Sequence, residues 1–145
     1  MLAVRLQYIL AMKEINTICI IDDDAIFRFG TKKLMECVQS SLNFLIYDSG
    51  KAALADLTKK IMLDEKIPDV ILLDLNMTIM DGWEFLDEFL KIDNIERIPI
   101  YIVSSSVDSR DIEKAKNYKI VNDYLVKPFS VSIIKNLLNE LQEQN

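Results

Sequence analysis

Hydrophobic positions in this chain follow two alternating patterns: short unbroken runs, and longer stretches where they recur every three or four residues. The unbroken runs are Thr17–Ile21, Phe44–Tyr47, Val70–Leu73, Ile100–Val103 and Tyr124–Val126. The first, third and fourth are almost wholly apolar, the pattern of strands buried on both faces. Pro68 and Pro99 each stand just ahead of a run, where a missing N–H costs a strand little.

The stretches between the runs carry a helical period. In the first, Phe27, Gly30, Leu34, Cys37 and Val38 share one face. Gly50–Asp64 reads as a second helix capped by Ser49, Gly82–Ile92 as a third and Asp108–Asn117 as a short fourth. A last helix puts Val131, Ile134, Leu138 and Leu141 on one face, with Ser130 as its N-cap after Pro128. Strand and helix thus alternate five times. That predicts an α/β fold, a doubly wound five-stranded parallel sheet with five helices covering its two faces. In such sheets ligands bind beyond the carboxyl ends of the strands.

The residues that follow the runs are therefore the candidates for chemistry. Asp22, Asp23 and Asp24 follow the first run, and Asp74 the third, with Asn76 two positions on. Ser104, Ser105 and Ser106 follow the fourth, and Lys127 with Pro128 the fifth. Singly, each has an ordinary explanation: acidic triplets cap helices, serines make turns, and prolines end strands. Those explanations do not account for their falling at the same end of different strands. Clustered carboxylates repel one another unless a cation sits among them, and hard oxygen ligands with room for water and phosphate suit Mg²⁺. The metal and Lys127 would offset the charge on a transferring phosphoryl group while a carboxylate attacks it.

Composition narrows the picture further. A chain of 145 residues, half of them hydrophobic, suits one globular domain. A net charge of −6 argues against a nucleic-acid surface and favours protein partners. The absence of histidine removes any imidazole metal ligand or base, and excludes the chain as a phosphohistidine donor. Cys19 and Cys37 both read as buried small hydrophobes in a reducing cytoplasm. The leader MLAVRLQYILAM carries one charge, Arg5; it is shorter than the roughly 20 residues a bilayer span needs and has no convincing signal-peptide cleavage site. Residues 1–13 are read as a helical extension or a mis-assigned start at Met12-Lys13-Glu14, and 14–145 as the domain proper. Only Gln142–Asn145 follow the last helix, so a stand-alone cytoplasmic domain without membrane contact is expected.

ICIIDDD, VILLDLNMTIMDGWEFL, IPIYIVSSS and DYLVKPF resemble, in order and spacing, the four signatures of response-regulator receiver domains of two-component signalling. The resemblance spans about residues 16–142 and implies the strand order 2-1-3-4-5. It implies that Asp74 accepts a phosphoryl group from a histidine kinase or a histidine phosphotransfer protein, with no catalysis beyond its own phosphorylation and dephosphorylation. It assigns Mg²⁺ to Asp23, Asp74 and the backbone carbonyl of Asn76, with Asp22 acting through water. Ser104 takes the switch position, Tyr124 the aromatic position coupled to it, and Lys127 the lysine that pairs with the phosphoryl group. Asn76 and Ser106, each two residues beyond acceptor or switch, would tune dephosphorylation. The output surface would be the face of helix four, strand five and helix five, meeting a downstream protein. Asp81-Gly82 matches the turn opening the third helix, where glycine serves a left-handed or a crowded backbone. Two departures stand out: Thr78 replaces a common proline, implying a less rigid loop, and Ile120 replaces a common glycine after the fourth helix, where Asn117 could take the left-handed role.

Two other functions compete. Asp22-Asp23-Asp24 also contains the Asp-x-Asp of haloacid-dehalogenase-type phosphohydrolases, but no aspartate follows Lys127 to complete a metal-binding pair, and Asp74 would be idle. A receiver-like interaction module that no longer takes phosphate is the other. A flavodoxin-like cofactor binder is disfavoured, because three acidic residues stand where a phosphate cradle would be needed.

Overall fold

The computed structural model describes residues 2–11, 14–93, 95 and 98–143. The elements are α1 (Leu2–Ala11), β1 (Thr17–Ile21), α2 (Ala25–Val38), β2 (Asn43–Tyr47), α3 (Gly50–Met62) and β3 (Val70–Asp74). They continue with α4 (Gly82–Phe89), β4 (Ile100–Ser104), α5 (Ser109–Ala115), β5 (Val121–Val126) and α6 (Val131–Glu143). The strands form one parallel sheet in the order β2-β1-β3-β4-β5. The fold is the expected one with a sixth helix, because the apolar leader is helical over Leu2–Ala11. The alternative start at Met12-Lys13 lies outside the described residues.

Local chemistry sets most boundaries. Asp24 caps α2 by accepting hydrogen bonds from the Ile26 and Phe27 N–H groups, and Ser49 caps α3 through Ala52. Asp81 and Asp108 cap α4 and α5 in the same way, and Ser130 accepts from the Ile133 N–H in α6. The third and fourth helices are shorter than their periodicity suggests, ending at Phe89 and Ala115, and β5 begins earlier, at Val121.

Alternation along the central strands divides the core in two. Cys19, Ile21, Ile71, Leu73, Ile100 and Ile102 face α3, α4 and α5, against Ala53, Leu57, Phe85, Leu86, Phe89 and Ala115. Ile18, Ile20, Val70, Leu72, Tyr101 and Val103 face α2 and α6, against Met35, Ile134, Leu137, Leu138 and Leu141. Every residue of β3 and β4 is buried, as strands covered on both sides must be.

Two expectations are corrected here, and a third is narrowed. Cys37 is exposed, not buried: the inward face of α2 runs through Phe27, Thr31, Met35 and Val38, which turns Cys37 towards solvent. Cys19 is buried as expected, and burial pushes its thiol pKa up, so it stays protonated. Asn117 does not take a left-handed conformation; the described non-glycine residues with positive φ are Asp64 and Ile79. Gly82 has no positive φ either, so of the two reasons offered for it, crowding is the operative one. A Cβ there would stand 2.6 Å from the Asp74 carbonyl oxygen and 2.8 Å from Leu75 Cα.

Candidate functional site

The carboxyl ends of β1, β3, β4 and β5 bring four polar groups to one edge of the sheet. Asp22, Asp74 and Ser104 are only 1%, 4% and 0% exposed, in a region otherwise lined by apolar strand residues. Burying a carboxylate is costly unless charge or hydrogen bonds compensate it, so each group's partners matter.

Asp22 is fastened on three sides. Its N–H donates to the Tyr47 carbonyl at 3.1 Å, its carbonyl accepts from Arg28 Nη1 at 2.8 Å, and its Oδ1 accepts from the Asp24 N–H at 2.9 Å. Its Oδ2 lies 2.7 Å from Lys127 Nζ. That pair is an ion pair without hydrogen-bond alignment, and Oδ2 is the one buried side-chain atom without a hydrogen bond among the described residues. Lys127 Nζ stands 3.6 Å from Asp74 Oδ1, and the Lys127 N–H donates to the Ser104 carbonyl at 2.9 Å, tying the β5 exit to β4. The Lys127-Pro128 peptide bond is cis.

Asp23 is exposed, and its carboxylate joins those of Asp22 and Asp74 in a group whose ligand oxygens all lie within 4.8 Å of one another. Three carboxylates there meet one ammonium. Burial first, and then the charge of Asp22, push the Asp74 pKa up from 3.8 to about 6; Lys127 and the Asn76 N–H act the other way. Excess negative charge, an accessible oxygen on Asp23 and an Asp22 oxygen without a hydrogen bond make a donor set that fits a hard divalent cation such as Mg²⁺. Asn76 is exposed directly after this group, its N–H 3.4 Å from Asp74 Oδ1.

Ser104 Oγ accepts from the Ser106 N–H at 3.1 Å, and Tyr124 Oη donates to the Ser106 carbonyl at 2.9 Å. Ser106 Oγ in turn accepts from the Asp108 N–H at 3.2 Å and lies 3.3 Å from Asp111 Oδ2. A hydrogen-bonded chain therefore runs from the end of β4 through the loop to the first turn of α5.

The structure brings Asp22, Asp23, Asp74 and Lys127 into one group; Ser104 adjoins it through the Lys127 N–H, Asn76 through its own N–H to Asp74, and Tyr124 reaches only the Ser106 carbonyl of the β4–α5 loop. Asp24 stands apart from them as a helix cap, the ordinary role of an acidic residue after a strand. Two participants carried no sequence signal. Arg28 reads as a surface residue of α2, and Phe27 as core; only the folded chain shows that one holds the Asp22 carbonyl and the other meets Lys127.

Known proteins agree with this geometry. The family model for the response regulator receiver domain matches residues 18–139. A two-component response regulator of Cytophaga hutchinsonii superposes with a TM-score of 0.80 at 28% identity, over 89% of this chain and 98% of that one. A receiver protein of Dyadobacter fermentans gives 0.73 at 30% identity, over 86% and 96%. The probable methanogenesis regulatory protein FilR2 of Methanothrix harundinacea is 32% identical over 94 residues, 65% of this chain and 60% of that protein. An uncharacterized response regulatory protein of Vibrio cholerae is 26% identical over 92% of this chain and 47% of its own length. This chain thus spans roughly half the length of those two regulators. It belongs to the response regulator receiver domain family of two-component signalling.

Proposed function

We propose that the chain is a phosphorylation switch whose acceptor is Asp74. The observation that carries this reading is one buried carboxylate at the end of the central strand, within 4.8 Å of two others and facing Lys127. With a pKa of about 6, Asp74 is largely ionised at neutral pH and available as a nucleophile. The donor is a phosphohistidine on a kinase or phosphotransfer protein. An Asp74 oxygen attacks phosphorus, the P–N bond breaks as the new P–O bond forms, and the imidazole departs. Bound by Asp23, Asp74 and the Asn76 carbonyl, with Asp22 acting through water, Mg²⁺ would supply neutralisation of phosphoryl charge. Lys127 adds a positive charge that can shift from Asp22 towards the phosphoryl oxygens.

The new oxygens then accept a hydrogen bond from the Ser104 O–H. Ser104 Oγ now accepts from the Ser106 N–H, so turning the side chain towards phosphate releases one anchor of the β4–α5 loop, and Tyr124, bonded to the same loop, adjusts with it. The α5–β5–α6 face changes shape as a result and meets a protein target. Phosphorylation biases this equilibrium by its differential interaction energy, on the order of 1–3 kcal/mol. Intact mass after incubation with acetyl phosphate and Mg²⁺ tests the reading. One phosphoryl increment is expected, absent from Asp74→Asn and from an EDTA control; an increment that persists in Asp74→Asn would refute it.

A further inference from the structure

Lys127 sits among more than carboxylates. Its Nζ also lies over the ring of Phe27, 4.3 Å from the centroid. The Phe27 ring is braced edge-on by Phe129, with centroids 5.5 Å apart and planes at 70°. The ammonium thus has Asp22 and Asp74 as its anionic partners and an aromatic face as an apolar one, and its side chain is only 14% exposed. We propose that Phe27 is a positioning residue for Lys127, its ring face holding the ammonium where it can pass from Asp22 to a phosphoryl group on Asp74. This rests on the phosphorylation reading above and adds to it a residue outside the four sequence signatures.

The physical case has three parts. The negative face of an aromatic ring attracts a cation, and most strongly where water is excluded, as it largely is here. A ring face imposes no directed hydrogen bond, so it leaves the ammonium N–H groups free for the carboxylates or a phosphoryl oxygen. An aliphatic side chain of similar volume would fill the same space but leave one side of a desolvated charge without compensation. The position is also not a closed core site. A groove of about 450 Å³ between α2 and the turn leading into α6 is lined by Phe27, Gly30, Leu34, Lys127 and Phe129. Phe27 therefore borders open space, and a larger aromatic group can be accommodated there.

The test compares Phe27→Leu with Phe27→Tyr and Phe27→Trp in the full chain with Mg²⁺ present. The readouts are the rate of acetyl-phosphate labelling and the affinity for beryllofluoride, followed by fluorine NMR of the bound species. Loss of the ring should slow labelling and weaken beryllofluoride binding about fivefold, while both aromatic variants stay within about twofold of the native chain. In NMR spectra the Lys127 ε-methylene protons should be shifted upfield by the ring in the native chain and released in Phe27→Leu. Equal losses in the leucine and aromatic variants would reduce Phe27 to packing and overturn the proposal, as would Lys127 protons with no ring shift. Labelling lost in Lys127→Ala yet unchanged in Phe27→Leu would overturn the role of Phe27 alone. Labelling at the native rate in Lys127→Ala would remove the role of Lys127, and that of Phe27 with it, whereas labelling that persists in Asp74→Asn would overturn the reading beneath both.

Discussion

Asp74 stores electrostatic cost that a divalent cation or a phosphoryl group can exploit. Its pKa is raised from 3.8 to about 6, so its contribution favours the folded state below pH 4 and is lost as pH rises through 6. Above pH 6 the ionised group opposes folding, by up to about 3 kcal/mol. In metal-free buffer at pH 8, Asp74→Asn should therefore melt several degrees above the native chain, and the gap should close as pH falls towards 4. Melting curves across that range check this; a variant less stable at pH 8 would contradict it. Ile79 stores cost of another kind. Its φ is 69°, its side chain is 93% exposed, and Met80 N–H donates to the Thr78 carbonyl across it at 2.8 Å. This three-residue turn is unfavourable for a β-branched residue. Thr78 is thus the first residue of a strained turn. Ile79→Gly should raise stability by about 1 kcal/mol in urea unfolding, because it removes left-handed strain and almost no packing.

Two glycines on helices show how element context decides a substitution. Gly30 lies within α2, and a Cβ there would meet nothing within 4 Å. Gly30→Ala should stabilise the chain by about 0.5–1 kcal/mol through backbone entropy. Gly82 opens α4 against the acceptor's own backbone, where a Cβ would stand 2.6 Å from the Asp74 carbonyl oxygen. Gly82→Ala should cost about 2–3 kcal/mol and slow labelling, since the α4 turn must draw back from Asp74. Thermal melts of both variants, expected to move in opposite directions, check the pair. Periodicity identified α2 and put Phe27, Leu34 and Val38 on its inward face, but it missed Thr31 and Met35 and misplaced Cys37. Apolar residues lie on both sides of it, with Ile26 85% and Phe29 66% exposed, so a hydrophobic count could orient the helix only in part.

At the scale of the whole molecule, metal binding and folding are linked. A cation that binds only the folded site stabilises it by RT ln(1 + [L]/Kd), about 2.7 kcal/mol at a hundred times Kd. Mg²⁺ should therefore raise the melting temperature and EDTA reverse the rise, with the effect much reduced in Asp23→Asn. Because Asp23 is exposed, that substitution should leave the metal-free melting temperature nearly unchanged. A Mg²⁺ effect of equal size in Asp23→Asn would place the cation elsewhere.

The sequence by itself determined the sheet, its parallel sense and the strand ends where the site lies. Each depends on features local to the chain: unbroken apolar runs, helical period, capping residues, and polar groups immediately after strands. Asp22, Asp23, Asp74, Ser104 and Lys127 were legible for that reason. The tertiary structure alone decided that Cys37 faces solvent, that Gly82 answers to crowding, that Arg28 grips the Asp22 carbonyl, and that Phe27 lies under the Lys127 ammonium. These depend on how one element is rotated against the next. That rotation follows from packing the whole core at once, and no short stretch of sequence encodes it.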